Sequence, residues 1–312
     1  MRILLTGASS FTGYHFLKEL ASAGHQVTAI FRKHPNEYPD EPRRTRVSLA
    51  TELCTPIIGP SFGDSSFLDL IKSRGPFDLL AHHAADVTNY KSPDFNVFSA
   101  VENNAHNIAA TLAALKSSGC NKILLTGSVF ENDEGAGSEG LPAVSPYGLS
   151  KALTYQIFRY YAPRAGLSLA KFVIPNPFGP YEEPRFTGYL MKNWFTGKTP
   201  AVSSPAYVRD NIHVSLLAKC YAHFAATLPE GLAKLNPSGY VESQGAFTLR
   251  FAAEMRTRLN LPCPVEIKTQ TEFPEPRVRI NTNLPDVQAL GWNESAAWDS
   301  IAEYYIKLYK IS

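Results

Sequence analysis

A short loop that directly follows an apolar strand at the start of the chain constrains the fold more than any other feature. Residues 2–5 read RILL and residues 6–13 read TGASSFTG, after which a helical pattern runs to Gly24. The strands predicted from apolar runs lie at residues 2–5, 26–31, 56–59, 77–81, 122–125 and 169–174, and the predicted helices at residues 14–23, 64–73, 103–118 and 147–162. This alternation predicts a parallel sheet with helices on both faces.

The composition of the chain limits the classes of function that it can serve. Its 312 residues, 44% of them hydrophobic, suffice for about two domains with a sizeable core. Thirty basic residues against 28 acidic ones leave a net charge of +2, which argues against nucleic acid or a membrane surface as the main partner. The four cysteines form no C-x-x-C pair, so we expect no metal site, no disulfides and a cytoplasmic location. No apolar run approaches the ~20 residues that span a bilayer, and the chain opens on a strand rather than a signal peptide.

The loop at residues 6–13 lies where a dinucleotide-binding fold holds a pyrophosphate, at the positive N-terminal end of the first helix. Gly7 permits the tight turn, and Gly13 allows the helix to approach the sheet closely. The alternative is an ordinary helix start capped by a serine. The candidate cofactor contacts in this loop are Gly7, Ser9, Ser10, Phe11, Thr12 and Gly13.

The end of the second predicted strand indicates which dinucleotide is bound. A site for NAD normally has an acidic residue there, which accepts hydrogen bonds from the ribose hydroxyls. Here the strand ends in Arg32 and Lys33, and no carboxylate follows directly. Two positive charges favour a ribose phosphate, so we predict NADP(H), with NAD(H) as the alternative. A solvated basic turn without a ligand would explain the same residues.

Tyr147 and Lys151 are one helical turn apart, on one face of a predicted helix. A tyrosine phenol titrates near ~10, and a nearby ammonium group favours its ionised form, which prepares it to exchange a proton with an alcohol or a carbonyl. The same spacing occurs at Tyr14 and Lys18. Ser128 singles out the second pair, because it ends the fifth strand at the sheet edge where ligands bind. The alternative is a set of unconnected helix residues.

These motifs resemble those of the extended short-chain dehydrogenase/reductases, also called the NAD-dependent epimerase/dehydratase family. The first loop of that family usually reads T-G-x-x-G-F-x-G, and this chain departs from it at Ser10, where the middle glycine is expected. Residues 145–151 match the family's S-P-Y-x-x-S-K, and residues 78–85 are similar to its D-x-V-x-H-x-A-A strand. The similarity extends from residue 2 to about residue 293 and implies the catalytic set Ser128, Tyr147 and Lys151.

The predicted fold class is therefore α/β, a Rossmann-type doubly wound parallel sheet with a smaller interleaved C-terminal substrate domain. We assign residues 1–174 and about 209–236 to the dinucleotide-binding domain, and residues 175–208 and 237–312 to the substrate-binding domain. The resemblance also implies further cofactor contacts. Asp64 would lie near the adenine amino group, Ala84 and Ala85 would pass beside the cofactor, and Asn104 would open the helix at residues 104–118.

The resemblance further implies a nucleotide-diphosphate sugar as the substrate. Asn176 corresponds to the asparagine of the family's R-x-x-N-x-x-G-P segment, although the arginine of that segment is missing here. Arg209 matches the family's R-D-x-x-H-V, and Arg277 resembles its late R-P-G; both would bind the diphosphate, which an arginine fork suits. Surface ion pairs are the alternative. In relatives the helices at residues 104–118 and 147–162 pair, so we expect a homodimer.

The expected reaction is reduction of a 4-keto nucleotide sugar by NADPH, with Tyr147 as the acid. Dehydratases of the family carry an Asp-Glu pair directly after the catalytic hydroxyl residue, whereas Ser128 is followed by Val129 and Phe130. A nucleotide-sugar 4-epimerase with a transient keto intermediate is the first alternative, and a non-catalytic NADP-sensing protein is the second. A reductase of a small ketone also remains open. The acidic, glycine-rich segment at residues 131–140 is interpreted as a mobile lid or a plain surface loop.

Overall fold

The protein, described here by a computed structural model of residues 1–310, alternates strands and helices through most of its length. The strands are β1 Arg2–Thr6, β2 Gln26–Phe31, β3 Thr55–Ile58, β4 Leu79–His82, β5 Lys122–Ser128, β6 Ala136–Gly137, β7 Ser168–Ile174, β8 Asn176–Phe178, β9 Ala201–Val202, β10 Val208–His213, β11 Leu232–Leu235, β12 Tyr240–Ser243, β13 Glu266–Ile267 and β14 Val278–Ile280. The helices are α1 Phe11–Ser22, α2 Glu41–Thr51, α3 Ser65–Arg74, α4 Val97–Ala105, α5 Ile108–Ser117, α6 Pro146–Arg164, α7 Phe186–Phe195, α8 Val214–Ala226, α9 Gln244–Leu259 and α10 Glu294–Lys310. The chain divides into two units.

The first unit is built on a seven-stranded sheet with the order β11-β7-β5-β4-β1-β2-β3, in which neighbouring strands are parallel. The order of the strands reverses between β1 and β4, where Thr6 lies opposite His82. In sheets of this type ligands bind beside the carboxyl ends of the strands at such a reversal. The predicted Rossmann-type α/β fold is confirmed.

Apolar side chains cover this sheet because both of its faces are packed by helices, as a parallel sheet requires. Helices α3, α5 and α6 contribute Phe67, Leu112 and Phe158 to one buried cluster. Phe16 of α1 stacks on Tyr221 of α8, with ring centroids 3.9 Å apart. Full burial of each such side chain stabilises the fold by about 1.5–3 kcal/mol.

The second unit comprises residues 135–140, 175–217 and the chain from Pro237 onward. Its main sheet has the order β12-β10-β14-β6, and β8 pairs with β10. Asp210 of β10 is fully buried and accepts hydrogen bonds from the backbone amides of Gly239 (2.7 Å) and Asn281 (3.1 Å). Helices α7, α9 and α10 supply a separate aromatic core that includes Trp194, Phe251 and Trp298.

The observed division differs from the predicted one at two places. Residues 209–217 belong to the second unit, because β10 pairs with β8, β12 and β14 rather than with the large sheet. Residues 135–140 also belong to it, because β6 pairs with β14. Pairing partners far away in the sequence decide both boundaries, so local patterns do not reveal them.

The helix predicted at residues 103–118 is wrong as a single element. It is two helices, α4 and α5, separated by His106 and Asn107, and Asn107 adopts a left-handed conformation with φ of 47°. The break brings the His106 carbonyl so close to Gly63 that a Cβ on that glycine would lie 1.9 Å from the oxygen. Asn104 consequently lies near the end of α4 instead of opening a helix.

No helix within residues 1–310 combines the length and the apolarity that crossing a bilayer would require.

Candidate active site

The loop between β1 and α1 needs glycine at two positions. Gly7 has a φ of 79°, and a Cβ there would lie 2.7 Å from the backbone nitrogen of Ala84. A Cβ on Gly13 would lie 2.1 Å from the carbonyl oxygen of Gly7. Because both contacts are with backbone atoms, neither position accepts a side chain without a shift of the loop.

Ser10 occupies the position of the expected middle glycine and holds the loop together. Its hydroxyl caps α1 by accepting a hydrogen bond from the Gly13 amide at 3.1 Å and lies 2.9 Å from the Gly7 carbonyl, to which it donates. Nε2 of His83 lies 2.9 Å from the same hydroxyl and 3.0 Å from Oγ1 of Thr12. The Ser10 side chain is therefore engaged within the loop.

His83 is a member of this site that the sequence did not reveal. Burial, together with the charges of Lys151 and His82, lowers the pKa of His83 to about 3, so the ring is neutral at physiological pH. Since the Ser10 proton points to the Gly7 carbonyl, we assign the His83 proton to Nε2. Nδ1 is buried and has no hydrogen-bond partner among residues 1–310.

Two further side chains hold the loop in place, one from outside it and one from its own C-terminal end. Nε of Arg46, a fully buried residue of α2, donates to the carbonyl of Ser9 at 3.3 Å. The ring of Phe11 is buried edge-on against His15, with centroids 5.4 Å apart. The sequence prediction placed no helix at α2, so it missed Arg46.

His82 connects the ends of β1, β4 and α4. Its Nε2 faces the Asn104 carbonyl at 3.1 Å, and its Nδ1 faces Oγ1 of Thr6 at 2.9 Å. A carbonyl only accepts, so Nε2 carries the proton, and Thr6 donates to Nδ1. The Ala84 amide in turn donates to Thr6 Oγ1 at 3.1 Å. Burial lowers the pKa of His82 to about 3, in keeping with a neutral, structural ring.

Asn104 and the two alanines lie around this connection. The Asn104 side chain is buried, donates to Oγ1 of Thr154 at 3.3 Å, and accepts from the Asp86 amide at 2.8 Å. Ala84 and Ala85 are half-buried directly after β4. The structure therefore places these three predicted cofactor contacts at the reversal of the strand order.

The residues predicted to contact the adenosine half lie near the ends of β2 and β3. Arg32 and Lys33 directly follow β2 and have exposed side chains. The charge of Arg32 is among the causes that lower the pKa of Asp86, where hydrogen bonds outweigh the opposing effect of burial. Asp64 caps α3: it accepts from the amides of Phe67 (2.7 Å) and Ser61 (2.9 Å). Burial opposes these bonds, but the net pKa of Asp64 is lowered, which keeps it a carboxylate.

The start of α6 packs directly on the segment that follows β5. Ser145 caps this helix, and a Cβ on Gly148 would lie 2.3 Å from the Phe130 carbonyl oxygen. Ser128 ends β5, and its hydroxyl accepts a hydrogen bond from the Phe130 amide at 3.2 Å. The contact brings the strand end that carries Ser128 against the helix turn that carries Tyr147.

Tyr147 and Lys151 differ in their surroundings. The Tyr147 ring is half-buried and meets the rings of Tyr90 and Phe95 edge-on, at centroid distances of 5.5 and 6.0 Å. Lys151 is 5% exposed. Burial lowers the pKa of Lys151 to about 8, with Glu131 acting upward and Lys171 downward.

A buried ion pair lies behind Ser128. Nζ of Lys171, on β7, is 2.5 Å from Oε2 of Glu131 and 2.6 Å from Oε1 of Glu134. Oε1 of Glu131 accepts from the Ser128 amide at 2.7 Å. The interpretation of residues 131–140 as a mobile lid or a surface loop is wrong at Glu131 and Glu134, because both side chains are buried.

The predicted substrate contacts lie in the second unit. Nδ2 of Asn176 donates to the Asp210 carbonyl at 3.3 Å. The Arg209 guanidinium donates to the carbonyls of Val208 and Pro276 and lies 3.0 Å from Oε2 of Glu275. Arg277 is exposed and lies over the Phe273 ring, 4.3 Å from its centroid. Arg277 therefore has the more accessible guanidinium.

The first unit has features that suit a dinucleotide. The loop before α1 stands at the N-terminal end of that helix, which favours a pyrophosphate. The buried Nδ1 of His83, beside this loop, has no hydrogen-bond partner among residues 1–310 and is one polar atom there that the protein itself leaves unsatisfied. Within residues 1–310 no group of three or more His, Cys, Asp or Glu side chains is arranged to hold a metal ion.

A protein-family model describes most of this chain. The model of the "NAD dependent epimerase/dehydratase family" matches residues 3–235.

The chain belongs to this family.

It is accordingly an NAD(P)-dependent enzyme of the short-chain dehydrogenase/reductase type. A UDP-glucose 4-epimerase of Caenorhabditis elegans is 26% identical over 257 residues, which cover 70% of this chain and 72% of that protein.

Solved structures share the fold of this family member at low sequence identity. UDP-glucuronic acid 4-epimerase of Bacillus cereus, in complex with UDP-glucuronic acid and NAD, matches with a TM-score of 0.73 and 17% identity over 99% of this chain and all of that one. UDP-glucose 4-epimerase of Thermotoga maritima, with UDP-glucose, matches with a TM-score of 0.71 and 18% identity over 99% of each chain. At these identities the likeness establishes the fold.

Proposed function

We propose that the protein is a nucleotide-sugar 4-epimerase that acts through a transient 4-keto sugar. The observation that carries the proposal is the contact between the start of α6, with Tyr147 and the buried Lys151, and the strand end with Ser128. The named relatives, which are 4-epimerases of UDP-sugars, support epimerisation over the net reduction that the sequence favoured.

In this mechanism Tyr147 moves the proton and the other two residues assist it. The bound dinucleotide supplies the chemistry of removing and returning a hydride at C4 of the sugar. Tyr147 Oη takes the proton of the C4 hydroxyl and later returns it to the same oxygen. Ser128 Oγ accepts from the Phe130 amide, so its own proton is directed to the sugar oxygen. The Lys151 ammonium stabilises the tyrosinate.

The first experiment incubates the protein with UDP-glucose and NAD, without added reductant, and measures UDP-galactose by chromatography. The proposal expects interconversion, its near-complete loss in Tyr147→Phe, and retained binding of the cofactor in that variant. If a 4-keto nucleotide sugar is instead consumed with stoichiometric oxidation of NADPH, the protein is a reductase.

Reduction remains the second candidate because of the residues after β2. Arg32 and Lys33 are exposed and basic where an NAD site normally has a carboxylate, which favours the 2′-phosphate of NADP. The solved UDP-glucuronic acid 4-epimerase of Bacillus cereus is in complex with NAD. Titration followed by the fluorescence of NADH and NADPH decides between the two cofactors. A preference for the phosphate predicts at least a tenfold loss of NADPH affinity in Arg32→Asp, with little change for NADH.

We propose that Arg277 contributes more than Arg209 to the binding of a substrate diphosphate. Arg277 has an exposed guanidinium, whereas Arg209 already contacts carbonyl oxygens and Glu275. Substitution of Arg277 by Ala should raise the KM for a nucleotide sugar while leaving the unfolding midpoint unchanged. An unchanged KM would assign the diphosphate to other groups, Asn176 among the first to test.

We also propose a homodimer in a cytoplasmic protein, formed through α6 and through α4, the first of the two helices into which the predicted helix at residues 103–118 divides. Phe98 is 86% exposed, and Leu149, Leu153 and Tyr160 form an exposed stripe at helical spacing along α6. Sedimentation should show a dimer that dissociates in Phe98→Glu. The control is Leu284→Glu in the second unit, where Leu284 is 83% exposed but stands outside these helices. A monomeric wild-type protein would refute the dimer.

A further inference from the structure

Glu131 stands between the strand that carries Ser128 and a second buried lysine. One of its carboxylate oxygens accepts a hydrogen bond from the Ser128 amide at 2.7 Å, and the other lies 2.5 Å from Nζ of Lys171. A Cβ on Gly127 would lie 2.5 Å from Cε of Lys171 and 2.9 Å from Oε1 of Glu131. The carboxylate is thus packed tightly against the last residues of β5, and it is 0% exposed.

The charges around Lys151 make Glu131 its compensating anion. Glu131 directly follows Phe130, on whose carbonyl the Gly148 turn of α6 packs, and the buried Lys151 lies one turn later on that helix. In this position Glu131 attracts the Lys151 ammonium, whereas Lys171 on β7 repels it. Burial raises the pKa of Glu131, and the charges of Lys171 and Lys151 act against that rise. His82 and His83, at the end of β4, are neutral above about pH 5 because burial lowers the pKa of each to about 3. Glu134 also pairs with Lys171, at 2.6 Å, and with Lys234 at 3.1 Å.

We propose that Glu131 is a positioning residue for catalysis: it anchors the strand end that carries Ser128 and supplies the negative charge that keeps Lys151 protonated. An ammonium group without a nearby anion would lose its proton readily in this buried location. The inference rests on the proposed catalytic role of Lys151. It assigns to Glu131 an effect on chemistry that a purely structural ion pair with Lys171 would lack.

The test measures the protonation of Lys151 directly, in the cofactor-free protein. Lysine is labelled with ¹³C and ¹⁵N, the Lys151 resonance is assigned with Lys151→Arg, and its titration is followed by NMR. In Glu131→Gln, which keeps an acceptor for the Ser128 amide, we expect the midpoint to fall from about pH 8 by about one pH unit, a tenfold change in the proton affinity. Glu131→Asp keeps the charge and should retain most of the wild-type midpoint.

Glu134→Gln is the matched control, since it removes the other carboxylate that pairs with Lys171. Its Lys151 midpoint should stay near the wild-type value. Equal midpoints in the wild type, Glu131→Gln and Glu134→Gln would overturn the inference. If Glu131→Gln does not fold, the double variant Glu131→Gln/Lys171→Gln removes the ion pair as a whole. Glu131 acts on Lys151 more strongly than Lys171 does, so the Lys151 midpoint should still fall in the double variant. An unchanged or raised Lys151 midpoint in the double variant refutes the inference.

A second readout links the charge to the reaction and separates the two proposals. In Glu131→Gln the alkaline limb of the epimerisation rate should move to lower pH together with the NMR midpoint, whereas in Glu134→Gln it should not move. A shifted NMR midpoint without any epimerase activity in the wild type would refute the proposed function and leave the role of Glu131 intact. Epimerase activity in the wild type, with an unshifted Lys151 midpoint in Glu131→Gln, would support the proposed function and refute the role of Glu131.

Discussion

Gly7 and Gly24 form a matched pair for measuring what the loop before α1 requires. Both residues have nearly the same left-handed conformation, with φ of 79° and 81°. A Cβ on Gly7 would lie 2.7 Å from the Ala84 nitrogen, whereas a Cβ on Gly24 would have nothing within 4 Å. The two Gly→Ala variants therefore share the same backbone strain and differ in the close contact with the backbone of His83 and Ala84.

The expected loss of stability follows from the backbone strain and from the close contact. An alanine in the left-handed region costs about 1–2 kcal/mol, and this applies to both variants. Overpacking against backbone that cannot rotate away adds about 1–3 kcal/mol at Gly7 alone. We therefore expect the free energy of unfolding to fall by about 1–2 kcal/mol in Gly24→Ala and by about 2–5 kcal/mol in Gly7→Ala.

The assay must report the unit that holds the loop. The three tryptophans, Trp194, Trp292 and Trp298, all lie in the second unit, so their fluorescence is unsuitable. Urea unfolding followed by far-UV circular dichroism, with hydrogen exchange of peptides from β1 and β4, reports the first unit. Equal losses of stability in the two variants would show that the contact between Gly7 and Ala84 does not constrain the loop.

Three further predictions concern buried polar groups. Burial raises the pKa of Glu182 from 4.5 to about 7, so between these pH values the folded protein binds a proton that the unfolded chain has released. The free energy of unfolding of the second unit, followed by tryptophan fluorescence, should therefore fall by roughly 3 kcal/mol as the pH rises from 4.5 through 7. Glu182→Gln should remove this pH dependence. Asp210→Asn leaves one of two backbone amides without an acceptor and should cost about 1–3 kcal/mol in the same assay, whereas an unchanged midpoint would mean that the strands readjust. Thr6→Val removes the partner of both His82 and the Ala84 amide and should cost the first unit about 2–4 kcal/mol by circular dichroism, with recovery in Thr6→Ser.

The residues of the candidate site divide according to how their positions were found. Tyr147 and Lys151 were found from their spacing of one helical turn, which places them on the same face, together with Ser128 at the end of the fifth predicted strand. His83 and Glu131 could not be found in this way. His83 matters because it lies within 3.0 Å of Ser10 and Thr12, more than 70 residues earlier, and Glu131 because Lys171 is 40 residues later.

The sequence by itself determined the α/β class, the place of the loop at residues 6–13 and the spacing of Tyr147 and Lys151. Each of these follows from periodicity or turn chemistry within a few neighbouring residues, and here the tertiary contacts agree with the local pattern. Only the tertiary structure decided the break at Asn107, the assignment of residues 209–217 to the second unit and the burial of Glu131. In each case a distant partner (Gly63, the strands beside β10, and Lys171, respectively) outweighs the local preference, because close packing and the pairing of buried polar groups act through space rather than along the chain.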